Sequence, residues 1–355
     1  MMFKSTLRSL LLLPFALRAA VAESTQACNN SPDLCSRQYN NITHLGAHDS
    51  PFLRDETTRF STSGNQFYNT TVQLEAGVRL LSAQVHSQNG SLRLCHSSCE
   101  LLDAGTLRNW LGEVKDFMDA NPNEVVTIVL VNSDDASASD LAAEYEAAGV
   151  DSYSYVPSSA SASSTWPTLQ SLISNNTRLI NFVASLDNNT AASYLLDEFT
   201  YVFENDYDVS ELSDFSCTPN RPSGLSSGST GGRMALMNHF LYLNQAFGIQ
   251  SPNVGNITTT NAPGNSTGML GMHLGQCSRE YGTQPTFVLV DFFNVGPAIT
   301  SVDTVNGVTN PVGRTSVSKD VLTESEESAA GVNAAIGYWG VGLIAATLGY
   351  AICLG

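Results

Sequence analysis

The chain has 355 residues, 42% of them hydrophobic and 14% charged, and a formal net charge of −17. That composition supports one large domain or two smaller ones with ample core. So acidic a surface excludes nucleic acid and anionic membranes as electrostatic partners, and leaves the fold open.

Both ends read as processing signals. Lys4 and Arg8 precede the apolar run Leu10 to Leu13, and Ala20-Val21-Ala22 offers a small-residue cleavage site. Residues 1–22 are therefore expected to be a secretory signal peptide, whose removal strips Lys4, Arg8 and Arg18 and leaves the surface still more acidic. The folded domain is expected over 23–320, followed by a linker at 321–335. Residues 336–355 are apolar, Gly-rich and uncharged. With small residues just ahead of them, Ser328 is expected to carry a GPI anchor that holds the protein on the outer face of the membrane. A C-terminal transmembrane helix is the alternative, because the tail is long enough.

Of seven cysteines, Cys353 lies in the tail, which leaves Cys28, Cys35, Cys95, Cys99, Cys217 and Cys277. An even set in a secreted chain suggests disulfides, and neighbour order proposes Cys28–Cys35, Cys95–Cys99 and Cys217–Cys277, one of many possible pairings. N-glycosylation sequons begin at Asn29, Asn41, Asn69, Asn89, Asn175, Asn188, Asn256 and Asn265.

Ile42 to His48 alternates as a buried strand, with Ile42, His44, Gly46 and His48 on one face. It breaks into Asp49-Ser50-Pro51, as a strand does when it ends in a loop at a working surface. Residues 52–67 are a Ser/Thr-rich loop and 72–76 a helical turn. Val78 to His86 is a strand that sets Ser82, Gln84 and His86 on one face, and Leu92 to His96 is another. The spacing of Leu107, Trp110, Leu111, Val114, Phe117 and Met118 predicts a helix over 101–120, ended by Asn121-Pro122. Further strands are expected at 125–132, 178–184, 199–204, 234–240 and 286–292. Helices are expected at 138–148, 166–174 and 269–280, with loops at 218–232 and 251–268.

About eight strands, several separated by helices, predict an α/β fold, an irregular (β/α)8 TIM barrel. A doubly wound sheet competes, but no Gly-rich phosphate loop supports it. In a barrel the active residues sit at the carboxyl ends of strands. That rule selects His48, Asp49, Gln84, His86, His96, Asn132, Glu204, Asn238, His239, Asp291 and Asn294. Two imidazoles among them, His48 and His96, suit acid–base chemistry near neutral pH.

Six segments carry a family resemblance: ITHLGAHDSPF, QLEAGVRLLSAQVH, LRLCHSSCELLDAGTL, NPNEVVTIVLVN, MALMNHF and PTFVLVDFFNVG. In that order they resemble the phosphatidylinositol-specific phospholipase C X-domain superfamily, and in particular its secreted fungal members, the PLC-like phosphodiesterases. The resemblance implies cleavage of an inositol phospholipid or related phosphodiester, with a hydroxyl of the inositol attacking phosphorus. It implies His48 as general base, His96 as general acid, Asp49 as the carboxylate that orients His96, and Asp291 as the partner of His48. Where the family strand carries Asp-x-Arg this chain has Ser82-Ala83-Gln84. Ser82, Gln84 and Asn238 then stand as substrate contacts, with an amide dipole where a guanidinium is usual. Losing a charged donor to the developing oxyanion costs on the order of 10²–10³ in rate. No cofactor is implied, and the acidic ligands that bind calcium in eukaryotic members have no match, although a divalent cation is left open. Two other classes compete. One is a pseudo-enzyme that binds inositol, a glycan or a wall polymer without turnover; the other is a glycosidase built on Glu204 and Asp291.

Overall fold

The computed structural model describes residues 26–245 and 249–324. The expected signal peptide, Ser328 and the tail at 336–355 lie outside the described residues. Among those described, no helix is long and apolar enough to cross a membrane.

The strands are β1 (His44–Ala47), β2 (Leu80–Gln88), β3 (Ser91–Cys95), β4 (Asp103–Thr106) and β5 (Val126–Asn132). They continue as β6 (Leu179–Ala184), β7 (Leu195–Asp197), β8 (Val202–Asn205) and β9 (Pro219–Arg221). The set closes with β10 (Met234–Asn238), β11 (Tyr242–Asn244), β12 (Gln250–Pro252) and β13 (Phe287–Val290). The helices are α1 (Thr70–Glu75), α2 (Leu107–Ala120), α3 (Ala138–Ala148), α4 (Leu169–Ser174) and α5 (Glu198–Tyr201). After them come α6 (Ile257–Thr260), α7 (Leu270–Tyr281) and α8 (Ala298–Asn306).

The sheet runs β7-β6-β5-β2-β1-β13-β10-β8-β9, parallel throughout until β9 pairs antiparallel with β8. It curls into a barrel-like α/β fold that stays open between β7 and β8. A single helical turn, α5, joins those two strands because the Asp197 carboxylate caps it, accepting from the Thr200 N–H at 2.9 Å.

Strand alternation sorts the apolar side chains into two cores. Leu80, Val129, Phe182, Leu236, Phe287 and Leu289 pack inside the curl. Leu45, Leu81, Val85, Ile128, Leu130 and Val288 face outward against α2, α3, α7 and α8. Gly46 lies on the inward row, where a Cβ would come within 2.7 Å of both Leu80 and Leu289. No larger residue fits there without displacing its neighbours.

Several expectations shift in detail. The strand at Leu92–His96 exists, but it folds back antiparallel on β2 and lies off the ring. The sheet strands missed by the sequence are β7 and β9, each three residues long and too short to show a period; β9 lies in the stretch expected as a loop over 218–232. The helix predicted over 101–120 starts at Leu107, because Asp103–Thr106 pairs with β3 and the Thr106 hydroxyl caps the helix. In the stretch read as one strand over 199–204, the first residues form α5. Helix α8 was not expected, nor was α6, which forms inside the stretch expected as a loop over 251–268. Beyond it the chain returns to the body: the Thr315 N–H donates to Glu75 O, and Asn294 Nδ2 to Ser318 O at 2.9 Å. The cysteines pair as neighbour order proposed, Cys28–Cys35, Cys95–Cys99 and Cys217–Cys277. One glycan expectation meets a physical obstacle. Asn29 is buried, with its amide nitrogen on Val125 O at 3.2 Å and its oxygen on Val125 N at 2.7 Å.

Three buried histidines other than His48 and His96 are held neutral. Burial pushes His44 and His273 down to about 4, and burial with the neighbouring His273 pushes His239 well below the usual value. The unfolded chain binds protons at these positions near 6.5, so it takes up more protons than the folded one as the pH falls. Their contribution to stability is present in full above 6.5 and is lost as the pH falls from there through about 4. Urea unfolding midpoints should therefore drop between pH 7 and pH 4.5, and His273→Gln should flatten that drop; an unchanged slope in the variant would count against the assignment.

Candidate active site

Inward alternation carried to the carboxyl ends of β1, β2, β8, β10 and β13 brings His48, Ser82, Gln84, Glu204, Asn238 and Asp291 to one mouth of the barrel. His48 stands one residue past β1 and Asp291 one past β13, whose pairing places Ala47 beside Val290. The next step of the ladder, the His48 N–H to Val290 O at 2.9 Å, sets the two side chains together. His48 Nδ1 then lies 2.9 Å from Asp291 Oδ1. The network assigns that nitrogen as the donor, which leaves Nε2 facing the cavity.

His96 stands one residue past β3, and its N–H donates to Leu102 O at 2.9 Å. The Asp49 carboxylate sits between the rings, with Oδ2 at 3.7 Å from Nε2 of His48 and 3.7 Å from Nε2 of His96. Those distances exceed hydrogen bonds, so Asp49 acts on both rings through its charge. Phe240 stacks flat on His48, centroids 3.8 Å apart and planes within 2°, while Phe52 and His96 meet nearly perpendicular, centroids 5.4 Å apart.

The residues after His48, His96 and Asp291 share an uncommon backbone conformation: Asp49, Ser97 and Phe292 have φ of 48°, 56° and 43°. Left-handed non-glycine residues cost about 1–2 kcal/mol each and persist where surrounding structure enforces them. Each is held. The Asp49 N–H donates to Ser82 Oγ at 2.8 Å, the Ser97 N–H to Gln84 Oε1 at 2.9 Å, and the Phe292 N–H to Asn65 O at 2.8 Å. The Cys95–Cys99 disulfide closes the short loop around His96.

The site residues missed in the sequence are amides and aromatics. Asn65 Nδ2 donates to Asp291 Oδ1 at 3.0 Å. Gln66 Nε2 reaches both His48 O and Val290 O, at 2.8 and 3.0 Å, tying the ends of β1 and β13. Phe240 and Tyr242 approach from the segment after β10. Uncharged amides in a Ser/Thr-rich stretch resemble any loop, so nothing in the local sequence marks Asn65 and Gln66.

Of the expected substrate contacts, Ser82 accepts the Asp49 N–H, and Gln84 spends both ends of its amide, donating to Asp49 Oδ2 at 2.7 Å and accepting from Ser97. Asn238 donates to Glu204 Oε2 at 3.1 Å, and Glu204 is ion-paired with Arg221. Burial and the neighbouring Glu204 hold the Glu198 carboxyl well above the usual carboxylate range. The remaining strand-end candidates lie elsewhere. His86 pairs with Asp134 at 3.4 Å, Asn132 caps its own loop by donating to Ala136 O, His239 meets His273 at 2.9 Å, and Asn294 holds the C-terminal segment. The glycosidase pair is already committed, Glu204 to Arg221 and Asp291 to His48. Among the described residues, Cys217, His273 and Cys277 are the one cluster with metal-ligand geometry, and its two sulfurs are bonded to each other.

Electrostatics separates the rings. Burial works against a charged His48, but the carboxylates of Asp49, Asp291 and Glu204 outweigh it and raise its pKa. For His96 burial prevails over the pull of Asp49, and the pKa is lowered. Burial, with Asp49 and Asp291 nearby, pushes the Tyr242 hydroxyl well up.

Fold and site together define a barrel-like α/β protein with a carboxylate-flanked histidine pair at the carboxyl end of its strands. The PI-PLC X family (PI-PLC X 1) matches residues 34–306, and the chain belongs to that family. It is 36% identical over 315 residues to the PI-PLC X domain-containing protein 1 of Arthroderma benhamiae, covering 86% of this chain and 100% of that one. An uncharacterized secreted protein of the same fungus is 35% identical over 293 residues, 81% of this chain; the chain spans 65% of that relative's length. The phosphatidylinositol-specific phospholipase C of Listeria monocytogenes shares the fold, with a TM-score of 0.50 and 14% identity over 78% of this chain and 95% of that one.

Titration of the imidazole Cε1–H signals should place His48 above 6.5 and His96 below it. Asp291→Asn should lower the His48 value, because it removes a bonded negative charge while burial remains. Coincident titration of the two rings would contradict this electrostatic picture.

Proposed function

We propose that the protein is a phospholipase C-like phosphodiesterase in which His48 is the general base and His96 the general acid. The observation that carries this reading is the pair of imidazoles presenting Nε2 to one Asp49 oxygen, one of them bonded through Nδ1 to Asp291. His48 Nε2 takes the proton of a substrate hydroxyl as that oxygen bonds to phosphorus. The P–O bond to the leaving alcohol breaks, and His96 Nε2 protonates the departing oxygen. The products are a cyclic phosphodiester and an alcohol, and one proton has passed through the site. Asp291 suits the base, since a bonded carboxylate fixes the tautomer and stabilises the imidazolium as it forms. Asp49 serves His96 through charge alone. We take the substrate to be an inositol phospholipid or a related diester, and no resident cofactor enters the scheme.

Localisation belongs to the same proposal. The N-terminal leader pattern, the three disulfides and a fungal relative described as secreted support export. Attachment through GPI at Ser328 is read from the tail's composition, and release from membranes by phospholipase treatment with an intact ectodomain tests it.

The reaction is tested with a chromogenic phosphodiester of myo-inositol. The rate should follow a bell in pH that reports the pair's macroscopic constants. His48→Ala and His96→Ala should each lower kcat by at least about 10²-fold without loss of folding. A substrate with a better leaving group should partly rescue the His96 variant and leave the His48 variant inactive. Undiminished turnover in both variants rejects the mechanism. Saturable binding of inositol phosphate with no product from the wild type favours the pseudo-enzyme instead.

A further inference from the structure

Gln84 occupies the position where the family's guanidinium is expected, and its geometry does not suit contact with a phosphate. The side chain is partly buried, and its amide is used at both ends: Nε2 donates to Asp49 Oδ2 at 2.7 Å, and Oε1 accepts from the Ser97 N–H at 2.9 Å. Asp49 Oδ2 is the oxygen that lies 3.7 Å from each catalytic Nε2. Ser97 directly follows His96, inside the Cys95–Cys99 loop, and holds the left-handed backbone at φ 56°. One side chain on β2 therefore spans two elements that no backbone pairing joins, the loop after β1 and the loop after β3.

We infer that Gln84 is a positioning residue that clamps Asp49 to the His96 loop and sets the spacing of the acid–base pair; this rests on the reaction proposed above. The residue type follows from the task. A donor must face a carboxylate oxygen while an acceptor faces a backbone N–H, and a primary amide supplies both on one rigid plane. Arginine and lysine have no acceptor for Ser97, glutamate has no donor for Asp49, and methionine has neither at similar length. In the absence of the clamp, the Ser97 N–H loses its partner and the Asp49 carboxylate loses its hydrogen bond to the side chain that ties it to the His96 loop.

Three variants separate this role from substrate contact. Gln84→Met should lower kcat about tenfold, the expected scale for losing two hydrogen bonds at a site that must hold its geometry, with KM changed less than about twofold. Gln84→Arg should also lower kcat, because it keeps the donor and loses the acceptor. Gln84→Glu should keep the Ser97 bond but set a second charge against Asp49, which raises the His96 pKa and moves upward the acidic limb of the pH profile, the limb set by the lower of the pair's two constants. Amide hydrogen exchange at Ser97 should be fast in the Met and Arg variants and slow in the Glu variant. A Gln84→Arg enzyme with lower KM and undiminished kcat would make position 84 a phosphate contact and overturn the clamp. Unchanged Ser97 protection in a folded Gln84→Met protein would overturn it as well. Exchange and the His96 titration are read without substrate, so they test the clamp even if the chain proves to have no turnover; should the Met variant not fold, the Arg and Glu pair carries the same contrast.

Discussion

The register between β1 and β13 is the constraint on which the rest depends. Side chains alternate along a strand, so a slip of one residue would send His48 or Asp291 out toward the helices and leave a polar group in the outer core. Four paired residues, His44 with Phe287 through Ala47 with Val290, fix that register between strands more than 240 positions apart. The pairing is enforced on both faces. Inside, Gly46 leaves the space that Leu80 and Leu289 fill; outside, Leu45, Ala47, Val288 and Val290 are fully enclosed. The His48–Asp291 bond follows from this frame and does not create it. An imidazole–carboxylate contact could not offset a misplaced apolar row on both sides of the sheet.

Once the strands are aligned, the chain must leave each of them without moving the residue at its end. Asp49, Ser97 and Phe292 accomplish this by turning left-handed immediately after His48, His96 and Asp291. The stacked contact of Phe292 on Phe67, centroids 4.2 Å apart, shows how such a conformation is retained in a bulky residue. The same segment that holds Phe67 carries Asn65 and Gln66, whose amides bridge the two strand ends. The polar loop at 52–67 is thus a brace laid across the mouth, and the strain behind each site residue is balanced by contacts that also fix its position.

How much of this was legible depended on range. Period-two patterning exposed β1 and β2, apolar β-branched runs exposed β5 and β13, and the strand-end rule placed His48, Gln84, Asn238 and Asp291 among its candidates without any structure. Short elements defeated it. Three residues cannot show a period, so β7 was invisible, and the hairpin strand β3 was counted in its place because its sequence pattern is that of any strand. His96 was nevertheless identified, since its motif marks it however the strand pairs. Asn65 and Gln66 were not, because their roles depend on bonds to residues far along the chain. Gln84 was found for its position and given a substrate-facing task; only the geometry shows both amide ends already engaged. The buried amide of Asn29 is a similar case, where a three-residue motif carries no information on burial.

The two rings must also be considered as one titrating unit. The mouth holds the carboxylates of Asp49, Asp291 and Glu204, and Arg221 is committed to Glu204. An anionic diester entering such a site is favoured when the histidine pair carries one proton. The proposed reaction needs the same count, a single proton on the acid and none on the base. Only its location differs, since in the free site the raised His48 and lowered His96 place the proton on the base. Moving it between rings leaves the net charge unchanged and costs about 1.36 kcal/mol for each unit by which the two constants differ. In the proposed reaction a phosphate oxygen seated closer to His96 than to His48 reduces that difference, because a negative charge raises most the pKa of the ring it approaches. With Gln84 where the family resemblance expects a guanidinium, the proposed reaction therefore assigns anion recognition to a titratable pair, so that binding and chemistry would depend on the same proton.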